Sequence, residues 1–212
     1  MDVNMTGNTE ENTQREQNLK TAGQLFSFIQ ASPSPFHAVA NMKRELDAHG
    51  YAQLLEGEEW RLEEEGKYYV IRNGSALIAF RIPKRDFTGF QIMASHSDSP
   101  SFKIKENPEM DVEGHYVKLN VEKYGGMLCA PWFDRPLSVA GRVIVRDGSR
   151  LVTRLVNIDR DLCMIPNLAI HMNREANEGY KYNVQKDMLP LYGCGGSGGM
   201  FMEDIARAAG VA

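Results

Sequence analysis

Excess positive charge is absent from this 212-residue sequence: 24 lysines and arginines stand against 28 aspartates and glutamates, a formal net charge of −4. With no basic surface and no cationic run, the sequence has no electrostatic footprint for nucleic acid or an anionic membrane. Long apolar stretches are missing too. Nothing approaches the ~18 consecutive apolar residues of a membrane span, and Met1 to Glu16 lacks the apolar core of a signal peptide. Three cysteines, Cys129, Cys163 and Cys194, make an odd set without a C-x-x-C spacing. That argues against a disulfide framework and against a structural zinc site. Reduced thiols in a cytoplasmic protein are the expectation. What remains, 42% hydrophobic and 25% charged residues, is ordinary for a globular chain able to bury one large core or two small ones.

Met1 to Gln17 is polar and poor in hydrophobics, which predicts a disordered leader over residues 1–17. Leu19, Ala22, Phe26 and Ile29 then recur at helical spacing. Ser34-Pro35 reads as an N-cap followed by proline at the first helical position, and Gly50 stands where the second helix should be capped. A β-rich stretch follows. Lys67 to Arg72 and Ser75 to Ile82 flank Asn73-Gly74, the dipeptide favoured in type I′ hairpin turns. Gly89 to Ser95 is short and mostly apolar, which predicts a buried strand ending at His96. Phe102 to Lys105, Val117 to Val121, Ser138 to Arg146 and Leu151 to Ile158 read as further strands, with Asp147-Gly148 as a second hairpin turn. Tyr180 to Leu191 is ambiguous, Gly193 to Gly199 is a glycine-rich loop, and Met200 to Ala209 reads as a short helix. The shift towards almost pure strand predicts a domain boundary near Glu106-Asn107-Pro108.

His96-Ser97-Asp98 holds the chemistry most worth testing. It follows an apolar strand pattern and precedes Ser99-Pro100, which turns the chain out of a sheet. Imidazole is a good neutral zinc ligand, and an aspartate two residues on lies on the same side of an extended chain. Asp98 could accept a hydrogen bond from a ring N–H of His96 and fix its tautomer. Alone, H-x-D is weak, because a loop histidine beside a turn aspartate is common. Gly193-Cys194-Gly195-Gly196-Ser197-Gly198 satisfies G-x-G-x-x-G before a helical pattern. However, Pro190 precedes it, and the acidic residue expected ~20 positions on would fall beyond Ala212. A flexible loop is the preferred reading, with nucleotide binding kept as a weak rival. His37, His49 and His115 lack paired ligand spacing.

Several segments in order resemble the aspartyl aminopeptidases, a family of zinc metallopeptidases. They are Gly66–Ser75 with Ala79–Ile82, Ala94–Pro100, Leu119–Gly126, Trp132–Leu137 and Pro166–Met172. The resemblance implies an α/β fold class: a partial three-layer α/β/α zinc-peptidase domain over residues 18–106, then an inserted β-rich dimerisation domain over 107–212. It implies two zinc ions held close together, with a bridging carboxylate and a glutamate acting as general base on the bridging water. Carried over by residue, His96 matches a zinc ligand and Asp98 the catalytic carboxylate that orients it. His171 matches a substrate-contacting histidine that reaches a neighbouring subunit's site. Without the resemblance, His171 reads as a strand histidine and Trp132–Leu137 as packing plus an ion pair.

The family's other ligands would lie beyond the inserted domain, so a truncated chain lacking most of them, inactive by itself, is expected. The functional expectation is a zinc-dependent aminopeptidase removing amino-terminal Asp or Glu from peptides. Its partners would be peptide substrates and copies of itself in a homo-oligomer, with no nucleic acid and no membrane. The rival is a non-catalytic fragment that retains a dimerisation surface.

Overall fold

A computed structural model describes residues 6–84, 87–196 and 198–211. The chain divides into two compact units, Met1–Asp98 and Ser99–Ala212.

The first unit begins with two helices, α1 (Thr6–Ala31) and α2 (Pro35–Ala48). Most of the stretch expected as a disordered leader is therefore helical; residues 1–5 lie outside the described part. Ser32 N–H bonds Ile29 C=O, and the chain turns at Pro33. Ser34 caps α2 by accepting from the His37 amide, with Pro35 at the first position. Gly50, at φ +75°, follows the helix end in the left-handed region that favours glycine. Asn41 of α2 ties the helices together, donating through Nδ2 to Ala31 C=O and Ser32 Oγ, both at 2.8 Å.

A three-stranded sheet follows in the order β1 (Ala52–Gln53), β2 (Lys67–Arg72), β3 (Ala76–Arg81), with β1 parallel and β3 antiparallel to β2. Asn73 and Gly74 take φ values of +53° and +66°, the pair of left-handed residues that a type I′ turn requires. Tyr69 of β2 is fully buried and joins strand to helix: its hydroxyl donates to Asp47 Oδ1 and accepts from Lys43 Nζ, both at 2.7 Å.

Gly89 to Ser95 departs from expectation. It carries no strand, and Ile92 and Met93 are 85% and 99% exposed. An apolar extended segment becomes a buried strand only when a neighbour closes its ladder, and no strand among the described residues pairs with this one.

The second unit is mostly sheet. β4 (Ser101–Val112), β5 (Tyr116–Tyr124) and β8 (Leu191–Cys194) form one sheet, and β6 (Leu137–Asp147) with β7 (Arg150–Cys163) forms a two-stranded ladder. Short helices α3 (Val184–Asp187) and α4 (Met200–Ala208) complete it. Alternation along β5 buries Val117, Leu119 and Val121 on one face. Leu119 and Val121 join Val156, Ile158 and Leu162 of β7, Leu189, and Phe201 of α4 in one core. Glu106 to Pro108, the expected boundary, lies inside β4 where its register with β5 shifts between Ile104 and Glu109. The proline thus marks an irregularity within a strand, a position where its missing N–H costs no ladder bond.

Candidate functional site

His96 and Asp98 stand at the end of the first unit. His96 Nδ1 lies 2.9 Å from Asp98 Oδ1. An ionised carboxylate only accepts, so His96 donates through Nδ1, and in the neutral ring that tautomer leaves Nε2 with its lone pair. The imidazole is 93% exposed and Asp98 30%. Between them Ser97 Oγ donates to Ser75 C=O at 2.8 Å, pinning the segment to the β2–β3 turn. Sequence spacing suggested the pairing of His96 with Asp98, but nothing in it marked Ser97 as the anchor.

His171 belongs to the second unit. It sits exposed on a turn rather than in a strand, with Met172 N–H bonded to Ala169 C=O at 2.8 Å. The approach to that turn is fastened by Asp134, expected from the sequence as half of an ion pair. Asp134 takes φ +55°, uncommon for a residue with a side chain. Its amide donates to Ile165 C=O at 3.0 Å, and its Oδ1 accepts from the Asn167 amide at 2.8 Å. Asn167 Oδ1 in turn accepts from the Leu168 amide. Aspartate tolerates the left-handed region better than most residues, and that was the only sequence signal available.

The glycine-rich loop has structural work. A Cβ on Gly195 would stand 2.1 Å from Gly114 C=O, so only glycine permits this approach. At the start of α4, the amides of Gly199 and Phe201 donate to the Glu109 carboxylate, the latter at 2.8 Å. A phosphate would meet a carboxylate where a dinucleotide loop offers free amides. His37 likewise has a local role, its Nδ1 lying 2.7 Å from the Ser34 cap hydroxyl, and partial burial pushes its pKa down.

A family model described as aminopeptidase I zinc metalloprotease (M18) matches residues 28–204. The chain belongs to the M18 aminopeptidase family. It is 52% identical over 179 residues to a probable M18 family aminopeptidase 2 of Clostridium acetobutylicum, covering 82% of this chain and 41% of that protein. A chain in the cryo-EM structure of the Ape4 and Nbr1 complex is similar at 36% identity and TM-score 0.81, over 89% of this chain and 39% of that one. The S. cerevisiae mApe1 dodecamer is similar at 26% identity and TM-score 0.72, over 91% and 45%. The chain thus spans about two fifths of the length of the curated relatives it matches.

M18 membership implies zinc, and the residues present fit it in part. His96 offers one imidazole with an exposed Nε2 and a carboxylate behind Nδ1, the arrangement common to zinc-bound histidines. Among the described residues no group of three His, Cys, Asp or Glu side chains could hold a metal ion. A catalytic zinc needs about three protein ligands, and the described residues do not assemble such a set. Also among the described residues, no helix is long and apolar enough to cross a membrane.

Proposed function

We propose that this chain forms the amino-terminal portion of a cytoplasmic zinc aminopeptidase that removes acidic residues from peptide amino termini. His96 ligates one metal, Asp98 holds its tautomer, and His171 meets substrate. The family resemblance implies that the remaining ligands follow the inserted domain. The observation that carries the reading is the His96 Nδ1–Asp98 contact at 2.9 Å with the rest of the ring open. Zinc, when bound, polarises the scissile carbonyl and lowers the pKa of water. What the chain itself does is orient the imidazole: the Asp98 carboxylate favours the Nδ1–H tautomer, and the Ser97–Ser75 bond holds the segment still. The acidic preference rests on the family resemblance. Assembly into a homo-oligomer is supported by the dodecameric mApe1.

The test is a chimera in which this chain replaces the matching part of the Clostridium acetobutylicum relative, measured for zinc content and for hydrolysis of Asp-, Glu- and Leu-aminoacyl substrates. His96→Ala should abolish turnover and lower zinc content, and Asp98→Asn should weaken zinc binding by about 10–100-fold. Full activity in His96→Ala would sink the assignment. A second reading, a non-catalytic chain that keeps an association surface, is favoured by the lack of a three-ligand group among the described residues. A chimera that folds yet shows neither bound zinc nor turnover supports it, and zinc-dependent turnover in the chimera rejects it.

A further inference from the structure

Asn73-Gly74 is the only Asn-Gly pair in the sequence. Asparagine before glycine is open to attack by the main chain on its own side chain, because glycine carries no side chain to screen its amide nitrogen. The β2–β3 turn presents this pair to solvent. Asn73 is exposed, and the two residues hold the left-handed φ values +53° and +66°. Among the described residues, no acceptor takes a hydrogen bond from the Gly74 amide, whereas the Ser75 amide is held by Arg72 C=O at 3.2 Å. The nitrogen that must attack is therefore not committed to a hydrogen bond of the fold.

The reaction needs only water. Gly74 N bonds to Asn73 Cγ as it gives its proton to solvent; the Cγ–Nδ2 bond breaks, and Nδ2 takes up a proton and leaves as ammonia. Water then opens the five-membered imide. Addition at Cγ gives aspartate. Addition at the Asn73 main-chain carbonyl gives isoaspartate, in which the chain runs through the side chain and gains one methylene. Nothing is oxidised or reduced.

The consequence reaches the His96 segment. Ser75 follows the pair directly, and its C=O accepts from Ser97 Oγ at 2.8 Å. Ser97 stands between His96 and Asp98. A type I′ turn accepts aspartate at its first left-handed position, but its length sets the register of the strands it joins. An added main-chain methylene therefore displaces Ser75 from Ser97, and the segment loses the contact that pins it.

We propose that Asn73-Gly74 is a self-modification site whose conversion to isoaspartate releases the His96 segment from the β2–β3 turn. The effect on metal binding rests on His96 as a ligand, the reading given above; the modification and the release do not.

The test ages the 212-residue chain without metal for days at mildly alkaline pH. Asn73→Gly keeps a turn that tolerates positive φ but has no amide to lose, and Asn73→Asp adds the charge without the methylene. In the aged chain, the peptide containing residue 73 should show amide-to-acid exchange and be labelled by an isoaspartyl methyltransferase. The backbone order parameter of Ser97 should fall from about 0.85 to below about 0.6. Ser97→Ala should give the same fall without ageing, while aged Asn73→Gly and fresh Asn73→Asp should keep the unaged value. Three results would overturn the proposal: an intact Asn73 after the urea-unfolded chain has converted, isoaspartate with an unchanged Ser97, or an equal fall in aged Asn73→Gly. In the chimera, ageing should weaken zinc binding by about tenfold. If zinc binding there is indifferent to His96→Ala, the ligand reading fails and the modification, measured without metal, stands. If His96→Ala removes zinc but ageing leaves its affinity unchanged, the proposed release is overturned.

Discussion

The second unit closes on a larger core than the first, although both leave large hydrophobic side chains in water. Leu119, Val121, Val156 and Phe201 are at most 3% exposed in the second unit. In the first, Phe26 is 63% exposed, Phe90 72%, Ile92 85% and Met93 99%. Both sets come from segments with clear apolar patterns, so composition does not explain the contrast. Topology does. β5 finds neighbours on both sides within the chain, β4 and β8, while the 89–95 segment finds none among the described residues. Apolar pattern thus records the burial a segment is built for, and burial itself needs a partner surface.

Paired truncations put the largest strain on this comparison. Leu119→Ala should cost the second unit about 2–5 kcal/mol, because it empties a packed site. Ile92→Ala should cost the first unit less than about 0.5 kcal/mol, because nothing covers that side chain. Urea unfolding followed by hydrogen exchange would resolve the units. Equal losses would show that Ile92 is packed and end the contrast. Ile92→Lys sharpens it further, and should lower binding of an apolar fluorescent dye without changing stability.

A second substitution tests how tightly the second unit is closed. Gly195→Ala places a methyl group against Gly114 C=O, a backbone atom that cannot swing away, and should cost about 1–3 kcal/mol. The equivalent change at Gly89 in the first unit meets nothing within 4 Å and should be silent. Thermal melts of the two variants give the answer, and a silent Gly195→Ala would mean the β-turn at Gly114 is loosely held.

Much of this was legible in the sequence, for a physical reason. Local rules suffice where the determinants are local. Ser34-Pro35 capped α2, Asn73-Gly74 made its turn, Met200 opened α4, and His96 met Asp98 across one residue. Reading failed where the determinant was distant or missing. Residues 6–17 looked too polar to order but form the first part of the 26-residue helix α1, since extending a helix costs less than nucleating one. Gly89–Ser95 looked like a buried strand and had no neighbour. Glu109 carried no local signal and Asp134 only a weak one, because each acts on residues many positions away in the chain.

The polar network around Tyr69 gives a smaller, pH-dependent effect confined to the first unit. Tyr69→Phe removes hydrogen bonds to Lys43 and Asp47 and should cost about 1 kcal/mol. The hydrogen bond from Lys43, then that from Tyr69, holds the Asp47 pKa below its ordinary value of 3.8. A depressed carboxylate pKa contributes stability above the unfolded value, and that contribution is lost as pH falls below about 3.8. Acid should therefore loosen the α2–β2 contact, and Asp47→Asn should flatten that part of the pH profile. An unchanged profile would remove Asp47 from the account.

The smallest effect concerns reactivity rather than stability, and it reports on closure of the second unit directly. Cys163, at the end of β7, is half-buried, and burial pushes its thiol up to about 11. At pH 8 roughly one thiol in a thousand is then ionised, and only the thiolate attacks an alkylating reagent. Cys194 is exposed. Iodoacetamide at pH 8 should therefore label Cys194 quickly and Cys163 slowly, as read by peptide mass. Because the folded pKa is raised, the thiol's contribution to stability is full below about pH 9 and fades as pH climbs towards 11. In rising urea, protection of Cys163 should vanish together with the Leu119 core, since β5 and β7 share that core. Loss of protection well before the core melts would mean that β7 opens alone, and the second unit would then be less closed than its buried residues imply.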